Sequence, residues 1–107
     1  MSKFETVKNP ELRYFLNKYY NVGTTDHYGY ILLKQLFLSK LSAFDHEVSE
    51  DQIKVCVQIE EFKDIYGVTF EFEDFSCGIN LTAIAHMERN PYAYILEILD
   101  KRLLEWD

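Results

Sequence analysis

Ile53-Lys54-Val55-Cys56-Val57-Gln58-Ile59-Glu60, followed after a short connection by Val68-Thr69-Phe70-Glu71-Phe72-Glu73-Asp74, is the part of the chain whose reading decides the fold. In the first run Ile53, Val55, Val57 and Ile59 alternate with Lys54, Cys56, Gln58 and Glu60. The apolar set is β-branched, which marks a strand with one buried face. A helix competes for the same residues. Ser49 and Gln52 have the spacing of a capping box, and Val55, Ile59, Phe62 and Tyr66 keep helical spacing up to Gly67. The β-branched alternation favours the strand. In the second run Val68, Phe70 and Phe72 face one way while Thr69, Glu71 and Glu73 face the other. That predicts a half-buried strand, antiparallel to the first across Lys63–Gly67, with Tyr66 at the turn. Ser76-Cys77-Gly78 reads as the next turn, and Ile79 to Met87 fits either a third strand or a short helix.

Helical signals flank this centre. Asn9-Pro10-Glu11 is a helix start, because asparagine caps, proline suits the first helical position and glutamate suits the positive end of the dipole. Leu12, Phe15, Leu16 and Tyr19 then recur at helical spacing. After Gly23, Thr25 or Asp26 caps a second helix to about Phe44, with an apolar stripe of Ile31, Leu32, Leu36, Leu38 and Leu41, interrupted by Gln35. Gly29 weakens its first turn. Asn90-Pro91 repeats the cap-plus-proline start, and Tyr94, Ile95, Ile98, Leu99 and Leu103 make a closing amphipathic helix ending near Trp106. The expected architecture is α+β: an N-terminal helical hairpin, a small antiparallel β-meander and a C-terminal helix, forming a single domain over 1–107.

The composition allows such a domain a core of its own. Of 107 residues, 48% are hydrophobic and 16% aromatic, with four glycines and two prolines. A chain of this size folds without disulfides or metals. Two cysteines, Cys56 and Cys77, are too few for a secreted disulfide scaffold and each reads as a small buried hydrophobe. Met1 to Asn9 carries Lys3, Glu5 and Lys8 and does not resemble a signal peptide. The longest apolar stretch, Tyr28 to Phe44, is broken by Lys34, Gln35 and Lys40, short of a membrane span. A cytoplasmic protein with free thiols is expected.

Motifs for catalysis are missing from the chain. It has no glycine-rich phosphate loop, zinc-protease motif, nucleophile elbow or calcium loop. Cys56 and Cys77 are no Cys-x-x-Cys pair, and His27, His46 and His86 have no metal-ligand spacing. His46, between Asp45 and Glu47, reads as a solvated loop histidine following a helix end. Glu60/Glu61 and Glu71/Glu73 are acid pairs of the kind any solvated strand face carries. The expectation is therefore no catalytic residue, no metal and no cofactor, with a small enzyme using His46 or Cys77 as a disfavoured reading.

Charge gives the positive signal. The chain carries a net −7, distributed as +3 over 1–44, −8 over 45–75 and −2 over 76–107. An acidic centre repels phosphate backbones and anionic membranes and attracts basic surfaces. The basic residues are scattered, so direct nucleic-acid binding is not expected. Glu60, Glu61, Asp64, Glu71, Glu73 and Asp74 would make one acidic surface if the two strands pair, with Tyr66 as an aromatic anchor. That points to a binding protein that neutralises a basic partner. An immunity or inhibitor protein facing a nuclease-type toxin, as in toxin–antitoxin pairs, or a nucleic-acid-processing enzyme, fits the size and charge. The alternative is an assembly protein, for instance a homodimer, using aromatic surfaces and Leu103, Leu104 and Trp106 of the final helix.

Overall fold

The computed structural model describes residues 4–20, 28–60 and 65–106, with side chains from 31 onward in the second segment. It is an α+β fold in which helices α1 (Pro10–Tyr20) and α2 (Tyr28–Ala43) precede strands β1 (Ile53–Glu60), β2 (Ile65–Phe72) and β3 (Phe75–Asn80), and helix α3 (Pro91–Trp106) closes the chain. The strands form an antiparallel sheet in the order β1-β2-β3. The proposed cap residues of α2, Thr25 and Asp26, and His27 beside them, lie outside the described residues.

Both competing signals before β1 are real, and they act in succession. Gln52 accepts the Ser49 backbone N–H at 2.9 Å on its side-chain oxygen. The capping box thus closes only a short 3-10 turn, Glu50–Gln52. The β-branched alternation then takes over and pairs Ile53 with Phe72, Val55 with Phe70 and Val57 with Val68. β2 starts earlier than the sequence predicts, at Ile65, so Tyr66 and Gly67 belong to the strand rather than to a turn. The backbones approach closely there: a Cβ at Gly67 would lie 3.2 Å from the Ile79 carbonyl oxygen, a tight contact that a side chain would crowd.

The next turn also differs from expectation. Ser76, Cys77 and Gly78 are inside β3, and the chain reverses at Glu73-Asp74 between the paired Phe72 and Phe75. Glu73 takes up the reversal with φ of +53°. No glycine or asparagine marks this turn in the sequence. The segment left open between strand and helix is both in turn: β3 runs to Asn80, and a 3-10 turn covers Leu81–Ile84.

One sheet face is covered by helices. Val68, Phe70, Phe72, Phe75, Cys77 and Ile79 are buried with Leu12, Phe15, Leu16 and Tyr19 of α1 and Ile95, Leu99 and Leu103 of α3. For α2 the buried face is a correction. Leu33, Phe37 and Leu41 are fully buried, whereas Ile31 and Leu32 of the predicted stripe are exposed. The helix is apolar on several sides, so periodicity does not single out a face. Tertiary packing does: Phe37 lies 5.2 Å from Phe70 and 5.9 Å from Phe75, ring centre to ring centre. Lys40 joins α2 to α3 through an ion pair with Asp100 at 2.8 Å.

Among the described residues nothing covers the opposite face of the sheet. Lys54, Cys56, Glu71, Ser76, Gly78 and Asn80 all project from it and are exposed. Cys56 is therefore not the buried hydrophobe expected, because its parity in β1 puts it with the polar set.

A candidate acidic interface

The pairing of β1 with β2 answers where the acids go. Glu60 stands opposite Ile65, at the end where β1 leads into β2, while Glu71 stands opposite Lys54 at the other end. At about 3.4 Å per residue, Ile65 and Glu71 are roughly 20 Å apart along the strand. Pairing the two acidic segments antiparallel thus separates their charges instead of pooling them. Glu61 and Asp64 lie outside the described residues.

At the Glu71 end the carboxylates gather. The 3-10 turn before β1 leaves Glu50 and Asp51 exposed, and the β2–β3 turn leaves Glu73 and Asp74 exposed beside Glu71. Asp51, Gln52, Ile53, Lys54, Glu71, Phe72 and Glu73 line a shallow, open concavity. The carboxylates of Asp51, Glu71 and Glu73 therefore share this concavity with Lys54, and exposed Asp74 follows Glu73 in the turn. Asp51 was missed as a site residue. The signal for it was the Ser49–Gln52 capping box, which places it immediately before β1 and so beside the end of β2.

Tyr66 does not join this surface. It is 2% exposed, and Phe4 covers its ring edge-on at 5.5 Å. Its backbone N–H donates to the Thr82 hydroxyl at 3.2 Å. As an aromatic anchor for a partner it is corrected to a core residue. Glu60 is half-buried and accepts from the Gln58 carboxamide at 3.1 Å.

The other chemistry-bearing residues are placed as follows. His46 is half-buried rather than fully solvated, its ring tilted against Trp106 at 5.0 Å with Phe72 edge-on at 6.2 Å. Burial pushes the Cys77 thiol up, and the nearby Arg102 guanidinium pulls weakly the other way. A buried neutral thiol is a poor nucleophile, since the thiolate is the reactive form. His86 is exposed and borders a small depression with Thr6, Val7, Tyr66, Thr82 and Ala85. Among the described residues no group of histidine, cysteine and acidic side chains has a metal-holding arrangement. No helix among them is long and apolar enough to cross a membrane.

The surfaces of the final helix are mostly used internally. Leu103 is fully buried, and Trp106 packs against Phe75 at 5.3 Å and Phe72 at 6.1 Å. Leu104 alone of that group is open, at 70% exposure. Compared with known proteins, the chain matches no family, no curated protein and no solved structure.

Proposed function

We propose that the chain is a small acidic binding protein that neutralises a basic protein partner, an immunity or inhibitor protein acting on a nuclease-type toxin or a nucleic-acid-processing enzyme. The observation supporting this reading is the gathering of Asp51, Glu71 and Glu73 in one concavity at an end of the sheet, with exposed Asp74 in the adjoining turn. Exposed carboxylates of one sign steer a basic surface into encounter well above the neutral rate. They also present oxygen acceptors to the arginines and lysines that otherwise hold phosphates. A rigid sheet end fixes those acceptors in place, which limits the ordering cost of binding.

The test is capture of partners from lysate at low and high salt, with wild type beside a variant carrying Asp51, Glu71, Glu73 and Asp74 all changed to lysine. The expected result is one basic protein recovered in near-equal amount by the wild type, lost at high salt and lost by the variant. Circular dichroism establishes that the variant is folded. Capture unchanged by the four reversals, or insensitive to salt, would overturn the reading.

A further inference from the structure

The two edges of the sheet are finished differently. On β3, a strand of six residues, the Arg102 guanidinium reaches from α3 and donates to the Ser76 carbonyl oxygen at 3.0 Å. β1 is longer, eight residues, and contains neither proline nor glycine. Among the described residues no strand pairs with its other edge; the Ile53 N–H donates to the Glu50 carbonyl of the preceding turn, and no further backbone bond from outside the sheet falls along Lys54–Ile59. A long edge of β-branched residues is a template for another strand. The helices also stop short of covering it: Val57 and Ile59 face the core side yet are only half-buried.

From these features we infer that β1 pairs antiparallel with β1 of a second copy about a two-fold axis at Val57. The charges along the strand select both the occupant and the register. With Val57 opposite the partner's Val57, Lys54 falls opposite the partner's Glu60, and Glu60 opposite the partner's Lys54. Cys56 then meets the partner's Gln58, and Val55 meets the partner's Ile59, which covers the aliphatic surface the helices leave open. Sliding by one two-residue step to centre on Cys56 sets Lys54 against the partner's Gln58 and Glu60 against the partner's Gln52. The step the other way carries Lys54 past the end of the partner's β1 at Glu60. Only the register through Val57 forms both ion pairs, and opposite charges directly across strands stabilise a sheet while like charges destabilise it. The product is a six-stranded antiparallel sheet with all six helices on one face. It brings each Glu60 beside the acidic end of the other chain, from which the monomer holds it about 20 Å away.

This inference goes beyond the partner-neutralising reading; the two share Lys54, but the acids each depends on are different. Sedimentation velocity across a concentration series tests it with wild type, Lys54→Glu, Glu60→Lys and an equimolar mixture of the two variants. The wild type is expected to dimerise. Each variant alone faces two like-charge pairs and is expected to dissociate at least about tenfold more readily. In the mixture both pairs are again opposite in sign, so dimerisation returns. Circular dichroism confirms that the variants are folded. A wild type monomeric at every concentration, variants that dimerise as well as wild type, or a mixture that stays dissociated would each overturn the inference. None of these outcomes bears on the reversal of Asp51, Glu71, Glu73 and Asp74, so failure here is distinguishable from failure of the proposed function.

Discussion

Asn9 holds Arg89 across the molecule: the Asn9 carboxamide donates to the Arg89 carbonyl oxygen at 2.7 Å, and to that of Ile84 at 3.1 Å. The same side chain caps α1, accepting the backbone N–H groups of Glu11 at 3.1 Å and Leu12 at 3.2 Å. One buried residue thus starts the first helix and anchors the approach to the last.

Replacing Asn9 separates these roles. Asn9→Ala loses the cap, typically about 1 kcal/mol, and also leaves two carbonyls without their donor, for a total of about 2–4 kcal/mol. Asn9→Asp keeps the capping oxygen but not the donors, so it is expected to recover little of that loss. Urea unfolding of the three proteins measures both effects. A loss no larger than that of an ordinary helix cap would show that the carbonyl contacts contribute nothing.

Two strained residues offer the opposite sign. Asp45 follows α2 with φ of +67°, and the His46 N–H donates to the Leu41 carbonyl at 2.9 Å while the Asp45 N–H donates to that of Ser42 at 3.0 Å. That is a Schellman end with a residue other than the usual glycine. Glu73 holds φ of +53° in the β2–β3 turn. Asp45→Gly and Glu73→Gly should each raise stability by about 0.5–1 kcal/mol in thermal or urea unfolding.

The face of α2 is tested by contrast. Phe37→Ala removes a ring packed between α2 and the sheet and should cost about 3–5 kcal/mol. Leu32→Ala, at an exposed position, should fall within about 1 kcal/mol of wild type. Equal costs would return the buried face to the stripe that the sequence pattern predicts.

Cys77 gives a pH dependence. Its thiol is held above its ordinary value in the folded state by burial, so the folded chain keeps the proton more tightly than the unfolded one. Below the unfolded value, about 8.5, both states are protonated and this group adds no slope. Above it the unfolded state ionises first, so stability falls as pH rises. Cys77→Ala should lack that part of the alkaline slope, whatever its effect at neutral pH. In native labelling with a maleimide, exposed Cys56 should react at once and Cys77 only on unfolding.

What could be read in advance follows from how local each signal is. Asn9-Pro10 and Asn90-Pro91 encode their helix starts within a few residues, and α1 and α3 have single apolar faces; both helices were legible. In α2 leucines and isoleucines stand on several sides, and only the rings of Phe70 and Phe75, far along the chain, choose Phe37. The Glu73-Asp74 turn was hidden because glutamate there adopts a conformation usually left to glycine or asparagine, while Gly78 nearby looked like punctuation and is strand. The acidity of the centre was plain, but its division depends on register. Antiparallel pairing sends Glu60 and Glu71 to opposite ends, and Tyr66 is hidden by Phe4, whose contact no local pattern announces.

Arg102 on the Ser76 carbonyl gives the sheet a direction in which it can grow. Pairing through β1 about a two-fold axis leaves β3 at both outer margins, each with its guanidinium in place. Such an assembly would close after two chains, because the contact uses the same surface on both copies and each remaining edge carries an arginine on its Ser76 carbonyl. Removing that side chain, as in Arg102→Ala, would open a second and different edge on every chain. Two unlike sticky edges on one body are what a fibre needs, so this arginine sets the boundary between a finite particle and an endless one.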